Sequence, residues 1–143
     1  MRYAAPVATQ RLTGGQALVR SLLAEGVEVI FGLPGVQLDW LFDALYAERE
    51  RLHVYHTRHE QATAYMADGY ARTTGRVGVC AVVPGPGLLN AGAALATAYA
   101  CSAPVLCVTG QVDSRAIDCG YGLLHEIPHQ ESGWAPWPAR STW

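Results

Sequence analysis

Three stretches of the 143-residue sequence have the residue types and spacing for chemistry. The first is Pro84-Gly85-Pro86-Gly87-Leu88-Leu89-Asn90. Its glycines let backbone approach a ligand closely, and a helix opening here turns its first N–H groups outward. The stretch nearly matches G-x-G-x-x-G, but Asn90 replaces the third glycine. The next acid after the following strand, Asp113, lies past the roughly 20-residue offset of a ribose contact, so a nicotinamide site has little support. A tight strand-to-helix turn without any ligand is the alternative. The second is Glu60, within TRHEQATAYMADGYARTTG, a carboxylate where a strand gives way to a helix. It could act on a ligand there, and equally it is the first-turn acid that a helix dipole favours. The third is His125-Glu126-Ile127-Pro128-His129, which matches the zinc-hydrolase pattern H-E-x-x-H. That chemistry needs both imidazoles on one face of a continuous helix, which Pro128 opposes, and no strong third ligand follows. A zinc hydrolase using His125, Glu126 and His129 is therefore a chance match by this reading.

Other motifs add little. His53, His56 and His59 recur every third residue, but along a strand such side chains point to opposite faces, so they read as solvated or core-edge histidines. Neither G-x-S-x-G nor a phosphate-binding P-loop occurs, which removes the main support for a serine hydrolase or a P-loop NTPase.

The elements that must position these residues follow from periodicity. Thr13 can cap a helix to about Glu25, with Ala17, Leu18, Leu22 and Leu23 as its apolar stripe and Gly26 ending it. A strand at Val27–Phe31 follows, then a helix near Gln37–Glu48 and a strand at Leu52–Tyr55. The alternation continues with a helix at His59–Thr73, a strand at Arg76–Val83, a helix at Leu88–Ala100 and a strand at Pro104–Thr109. Such alternation implies βαβ units, and hence an α/β fold: a three-layer αβα sandwich around a mostly parallel sheet. The late strands are nearly continuous apolar runs, as expected where helices cover both faces. In such sheets ligands bind beyond the carboxyl ends of the strands. The informative loops are therefore Gly32–Val36, Thr57–Glu60, Pro84–Asn90 and Gly110–Asp113.

Composition bounds the rest. The length is that of one domain, and a chain half apolar and 15% charged is globular. Ten basic against twelve acidic residues, with no basic run, gives no attraction to phosphate backbones, so nucleic acid is not an expected partner. No run of roughly 18 apolar residues and no signal-peptide core occurs, so a soluble, cytoplasmic protein without a membrane partner is expected. Cys80, Cys101, Cys107 and Cys119 include no C-x-x-C pair, and Cys80 and Cys107 sit in apolar runs as inert core residues. Residues 1–12 read as a tail and 13–130 as the domain. From Glu131 the sequence ESGWAPWPARSTW has no period, and Trp134, Trp137 and Trp143 would be a solubility liability if exposed. Residues 131–143 thus read as an irregular tail, the product of a frameshift, a cloning artefact or a truncation.

Four motifs together are recognisable: FGLPG (Phe31–Gly35), RHEQATAYMADGYAR (Arg58–Arg72), PGPGLLNA (Pro84–Ala91) and APVLCVTGQV (Ala103–Val112). In this order and spacing the chain resembles the amino-terminal pyrimidine-binding domain of thiamine-diphosphate-dependent enzymes, acetolactate synthase and its relatives above all. The resemblance covers Thr13 to Gln130. It implies that Glu60 is the catalytic glutamate, which hydrogen-bonds N1′ of the cofactor's aminopyrimidine and promotes the imino tautomer that deprotonates the thiazolium. A carboxyl among apolar strand ends is suited to share a proton with a ring nitrogen. The resemblance further implies that Pro34, Gly35, Gly85, Pro86, Gly87 and Asn90 line the pyrimidine. It adds Leu33, and it brings the segment His125–Gln130 near Gln111.

The same resemblance implies thiamine diphosphate as cofactor, with only its pyrimidine half held here. Relatives hold magnesium and diphosphate on a second domain through Gly-Asp-Gly followed some distance on by Asn. This sequence has neither, since Asp68-Gly69 is preceded by Ala67. The implied partner is a diphosphate-binding domain of another subunit or chain, in a homo-oligomer when full length. The implied activity is making or breaking carbon–carbon bonds of 2-oxo acids, with none expected from this chain alone. A natural half-subunit that pairs with a separate diphosphate domain is the alternative.

Overall fold

Thr13 opens the first helix through a capping box: its Oγ1 accepts from Gln16 N at 3.2 Å, and its own N–H donates to Gln16 Oε1 at 3.0 Å. The computed structural model describes residues 11–130. Within them run α1 (Gly14–Ala24), β1 (Val29–Gly32), a 3-10 turn (Val36–Leu38), α2 (Asp39–Ala47), β2 (His53–His56), α3 (Glu60–Thr74), β3 (Gly78–Val82), α4 (Pro86–Ala100) and β4 (Val105–Thr109). The irregular segment expected at 131–143 and nearly all of the expected amino-terminal tail lie outside the described residues.

The four strands are all parallel, in the order β2-β1-β3-β4. Strand order reverses between β1 and β3. The chain leaves β1 for α2, whose apolar side chains cluster with those of α1 on one face, and leaves β3 for α4, which clusters with α3 on the other. The two departing loops therefore diverge and leave a crevice at the carboxyl ends of β1 and β3. Alternation along the strands serves both faces. Ile30, Val79 and Ala81 meet Val19, Leu22, Leu41 and Leu45, whereas Phe31, Cys80 and Val82 meet Ala64, Ala67, Ala91 and Ala94. The three-layer α/β architecture expected from the sequence is observed, with the sheet wholly rather than mostly parallel.

Several details differ from expectation for identifiable reasons. In α1 the buried residues are Val19 and Leu22, with Leu18 and Leu23 half-buried and Ala17 exposed, so the inward stripe is centred on larger side chains. The helix expected from Gln37 is a 3-10 turn followed by α2 from Asp39. Helix α4 starts two residues before Leu88, because Pro86 has no N–H to lose and a φ preset for a first turn. Cys80 and Cys107 are paired in register on β3 and β4. The Cys80 thiol donates a hydrogen bond to Cys107 and is buried, and both hold it far above the usual range, so it stays protonated.

Candidate functional site

The loop after β2 is fastened before it reaches Glu60. The Thr57 hydroxyl donates to the His59 carbonyl at 2.9 Å and shares a hydrogen bond with the Thr63 hydroxyl in α3. His59 is the N-cap: its backbone is extended and its Nδ1 accepts from Gln61 N at 3.2 Å. Glu60 is consequently the first helical residue, half-buried, where the helix dipole favours a carboxylate.

Across the crevice, Asn90 Nδ2 in α4 donates to Glu60 Oε2 at 3.0 Å. The other oxygen, Oε1, looks onto Gly87: a Cβ on that glycine would lie 3.4 Å from Oε1 and 2.5 Å from Val83 Cγ2. One oxygen of the carboxylate is held by an amide, while the other borders backbone kept bare by glycine.

Gly85 sits at φ 59°, ψ −120°, a conformation open to glycine. Any Cβ there would also strike the His125 carbonyl. Its N–H donates at 2.7 Å to Oε1 of the buried Gln130, whose Nε2 donates to the Gly110 carbonyl at 3.1 Å. Gln130 thereby joins the loops after β3 and β4. Gly35 marks another close approach, since a Cβ there would overlap Val83 Cγ1. Leu33 N–H extends the β1–β3 ladder to the Ala81 carbonyl at 3.1 Å, while Pro34 and Pro86 are exposed.

The structure thus brings Glu60, Gly87 and Asn90 into contact, and links Gly85 to His125. Gln111 is turned onto its own chain, its Oε1 accepting from Val112 N at 2.8 Å, and with Gln130 it lines a cavity of about 250 Å³. The zinc-hydrolase alternative fails on geometry: His125 and His129 have φ of 67° and 52°, no helix joins them, and His125 Nδ1 meets Gln37 Oε1 at 2.7 Å. Among the described residues no group of three or more His, Cys, Asp or Glu is placed to hold a metal, and no helix is long and apolar enough to cross a membrane. Sequence reasoning missed Gln37 and Gln130. Their partners lie 87 or 88 and 20 or 45 residues away, so no local spacing could reveal them.

A parallel sheet with a glycine-lined crevice at its strand reversal and a carboxylate at one helix start defines a small-ligand-binding α/β domain. The family described as thiamine pyrophosphate enzyme, N-terminal TPP binding domain, matches residues 12–132, and the chain belongs to it. Among curated proteins, the chain is 46% identical over 125 residues to a probable 2-ketoarginine decarboxylase of Pseudomonas aeruginosa, covering 87% of this chain and 22% of that protein. It is 47% identical over 116 residues to a probable acetolactate synthase large subunit of Methanocaldococcus jannaschii, covering 81% and 19%. An acetolactate synthase of Mycobacterium bovis is 45% identical over 126 residues, covering 88% and 19%. The chain spans about a fifth of the length of these relatives.

Proposed function

We propose that the crevice between β1 and β3 takes the aminopyrimidine of thiamine diphosphate, with Glu60 as its hydrogen-bonding acid. The observation that carries this reading is the asymmetric setting of the Glu60 carboxylate. Asn90 holds Oε2, while Oε1 faces the backbone at Gly87, which Val83 packs against so closely that only glycine fits. A pyrimidine nitrogen brought to that carboxyl can share its proton. Gly35 and Gly85 keep the flanking backbone close, and Pro34, Pro86 and Leu33 edge the same loops. When bound, thiamine diphosphate supplies a carbon nucleophile for the carbonyl of a 2-oxo acid. This chain's part is to orient the ring, hold its proton at Glu60 and exclude water from that contact.

The complete activity, by this reading, is carboligation or decarboxylation of 2-oxo acids in the cytoplasm by a homo-oligomer. A diphosphate-binding domain of another subunit would supply the magnesium site. The outer surface of α3 and α4 supports such a partner. Tyr65, Met66 and Leu89 are exposed there, and α4 carries no charged residue along its length. A domain seated on that surface would also cover Glu60 and Asn90.

The test is calorimetric titration of the chain with thiamine diphosphate, comparing Glu60→Gln. We expect Glu60→Gln to melt as the parent does and to bind about tenfold more weakly, near 1.4 kcal/mol. Equal affinity of the parent and Glu60→Gln would overturn the reading.

A further inference from the structure

The segment from Leu123 to Gln130 contains no helix or strand, yet it is fastened to the crevice at three points. Gln37 Nε2, in the turn after β1, donates to the Leu124 carbonyl at 2.8 Å. The His125 carbonyl occupies the space where a side chain on Gly85 would stand, and Gln130 holds the Gly85 N–H. His125 itself has φ 67°, a left-handed conformation that a non-glycine residue keeps only where its surroundings hold it. Its ring is thus set between the loops after β1 and β3.

The polarity of the Gln37 amide decides the protonation of that ring. The Leu124 carbonyl can only accept, so the amide nitrogen must face it. Flipping the amide would set two oxygens against each other. Oε1 is therefore the atom 2.7 Å from His125 Nδ1. An amide oxygen has no hydrogen to give, so Nδ1 must carry one, and in the neutral ring Nε2 keeps the lone pair. Among the described residues Nε2 has no partner.

We propose that Gln37 is a positioning residue that locks His125 in its Nδ1–H tautomer, so that Nε2 is a hydrogen-bond acceptor offered to a donor-bearing ligand. The matching ligand groups are a hydroxyl, an amine or a guanidinium, and not a carboxylate while the ring is neutral. This deepens the reading of the crevice as a ligand site, and its test needs no cofactor.

The experiment is a long-range 1H–15N correlation of the imidazoles in the 15N-labelled full chain, at a pH where histidine is neutral. In the parent, His125 should be predominantly Nδ1–H. Gln37→Leu should shift it toward Nε2–H, and Gln37→Glu, which restores an acceptor, should return it. Carbethoxylation followed by peptide mass spectrometry gives a second readout: the parent should react at His125 Nε2 faster than Gln37→Leu does. An Nε2–H ring in the parent, a tautomer indifferent to Gln37→Leu, or a His125 inert to the reagent would each overturn the proposal. Thiamine diphosphate titrated into the same samples separates the two readings. A locked tautomer with thiamine diphosphate affinity unchanged in Glu60→Gln sinks the pyrimidine assignment alone, whereas affinity lowered in Glu60→Gln without the lock sinks this one alone.

Discussion

The two faces of the sheet are packed on different terms. On the α1–α2 face the core is built from large side chains, with Leu22, Leu41, Leu45 and Leu52 meeting Ile30 and Val79. On the α3–α4 face the helices contribute mostly small ones, Ala64, Ala67, Ala91 and Ala94 beside Leu88, against Phe31 and Val82 of the sheet, with the buried polar residues Thr63 and Asp68 in α3. Asp68 is satisfied by Arg72 Nε at 2.9 Å. Small residues bring helix backbone close to the sheet. At Gly78 a single Cβ would collide with the Ala67 carbonyl of α3. The α1–α2 face contributes stability through buried area, and the α3–α4 face contributes position, because α3 and α4 begin at the crevice with Glu60 and Pro86.

The contrast can be broken first at its stable side. Leu45→Ala removes a side chain only 1% exposed and should cost about 2–5 kcal/mol. Urea unfolding would show it as a lower midpoint, and a loss under 1 kcal/mol would mean that this face is not the stabilising one. On the positioning side, Gly78→Ala should cost about 1–3 kcal/mol through overpacking. It should also shift the amide resonances of Glu60 and Asn90, because α3 must move off β3. A change confined to the neighbours of residue 78 would refute the coupling.

Leu89→Glu sharpens the same comparison at smaller scale. The side chain is 57% exposed, so stability should stay within about 0.5 kcal/mol. A charge in the first turn of the uncharged α4 should reduce any self-association through that surface in sedimentation velocity, and an unchanged profile of a self-associating parent would show that the surface is not the contact. The smallest effect belongs to the turn after β4, outside both packed faces. There the Arg115 guanidinium and N–H hydrogen-bond Asp113 and hold its carboxyl down to about 2. A depressed carboxylate contributes above its unfolded value and loses its contribution as pH falls through its folded one. The Arg115 amide resonance should therefore stay put on acidification until the pH nears 2. Movement centred near pH 4 would show that the pair does not hold in solution.

Much of the site was legible because its residues act close to home in sequence. Glycine at 85 and 87 announces backbone that must be bare, and Glu60 stands at a strand-to-helix junction that periodicity alone can find. The H-E-x-x-H match is the chance one that Pro128 indicates, because a pattern fixes spacing and not dihedral angles, and His125 and His129 are left-handed. Gln37 and Gln130 were invisible because a glutamine in a loop carries no local signal, and its meaning depends on the backbone group that a distant segment brings to it.

Local chemistry by itself determined the alternation of strands and helices, the three layers and the candidate acid, since capping, periodicity and bare glycines are properties of neighbouring residues. Only the tertiary structure decided that strand order reverses between β1 and β3 and that Asn90 grips Glu60. It alone decided that Gln37 turns its oxygen toward His125. Those are relations between segments 30 to 88 residues apart, fixed by which face of the sheet each helix packs on.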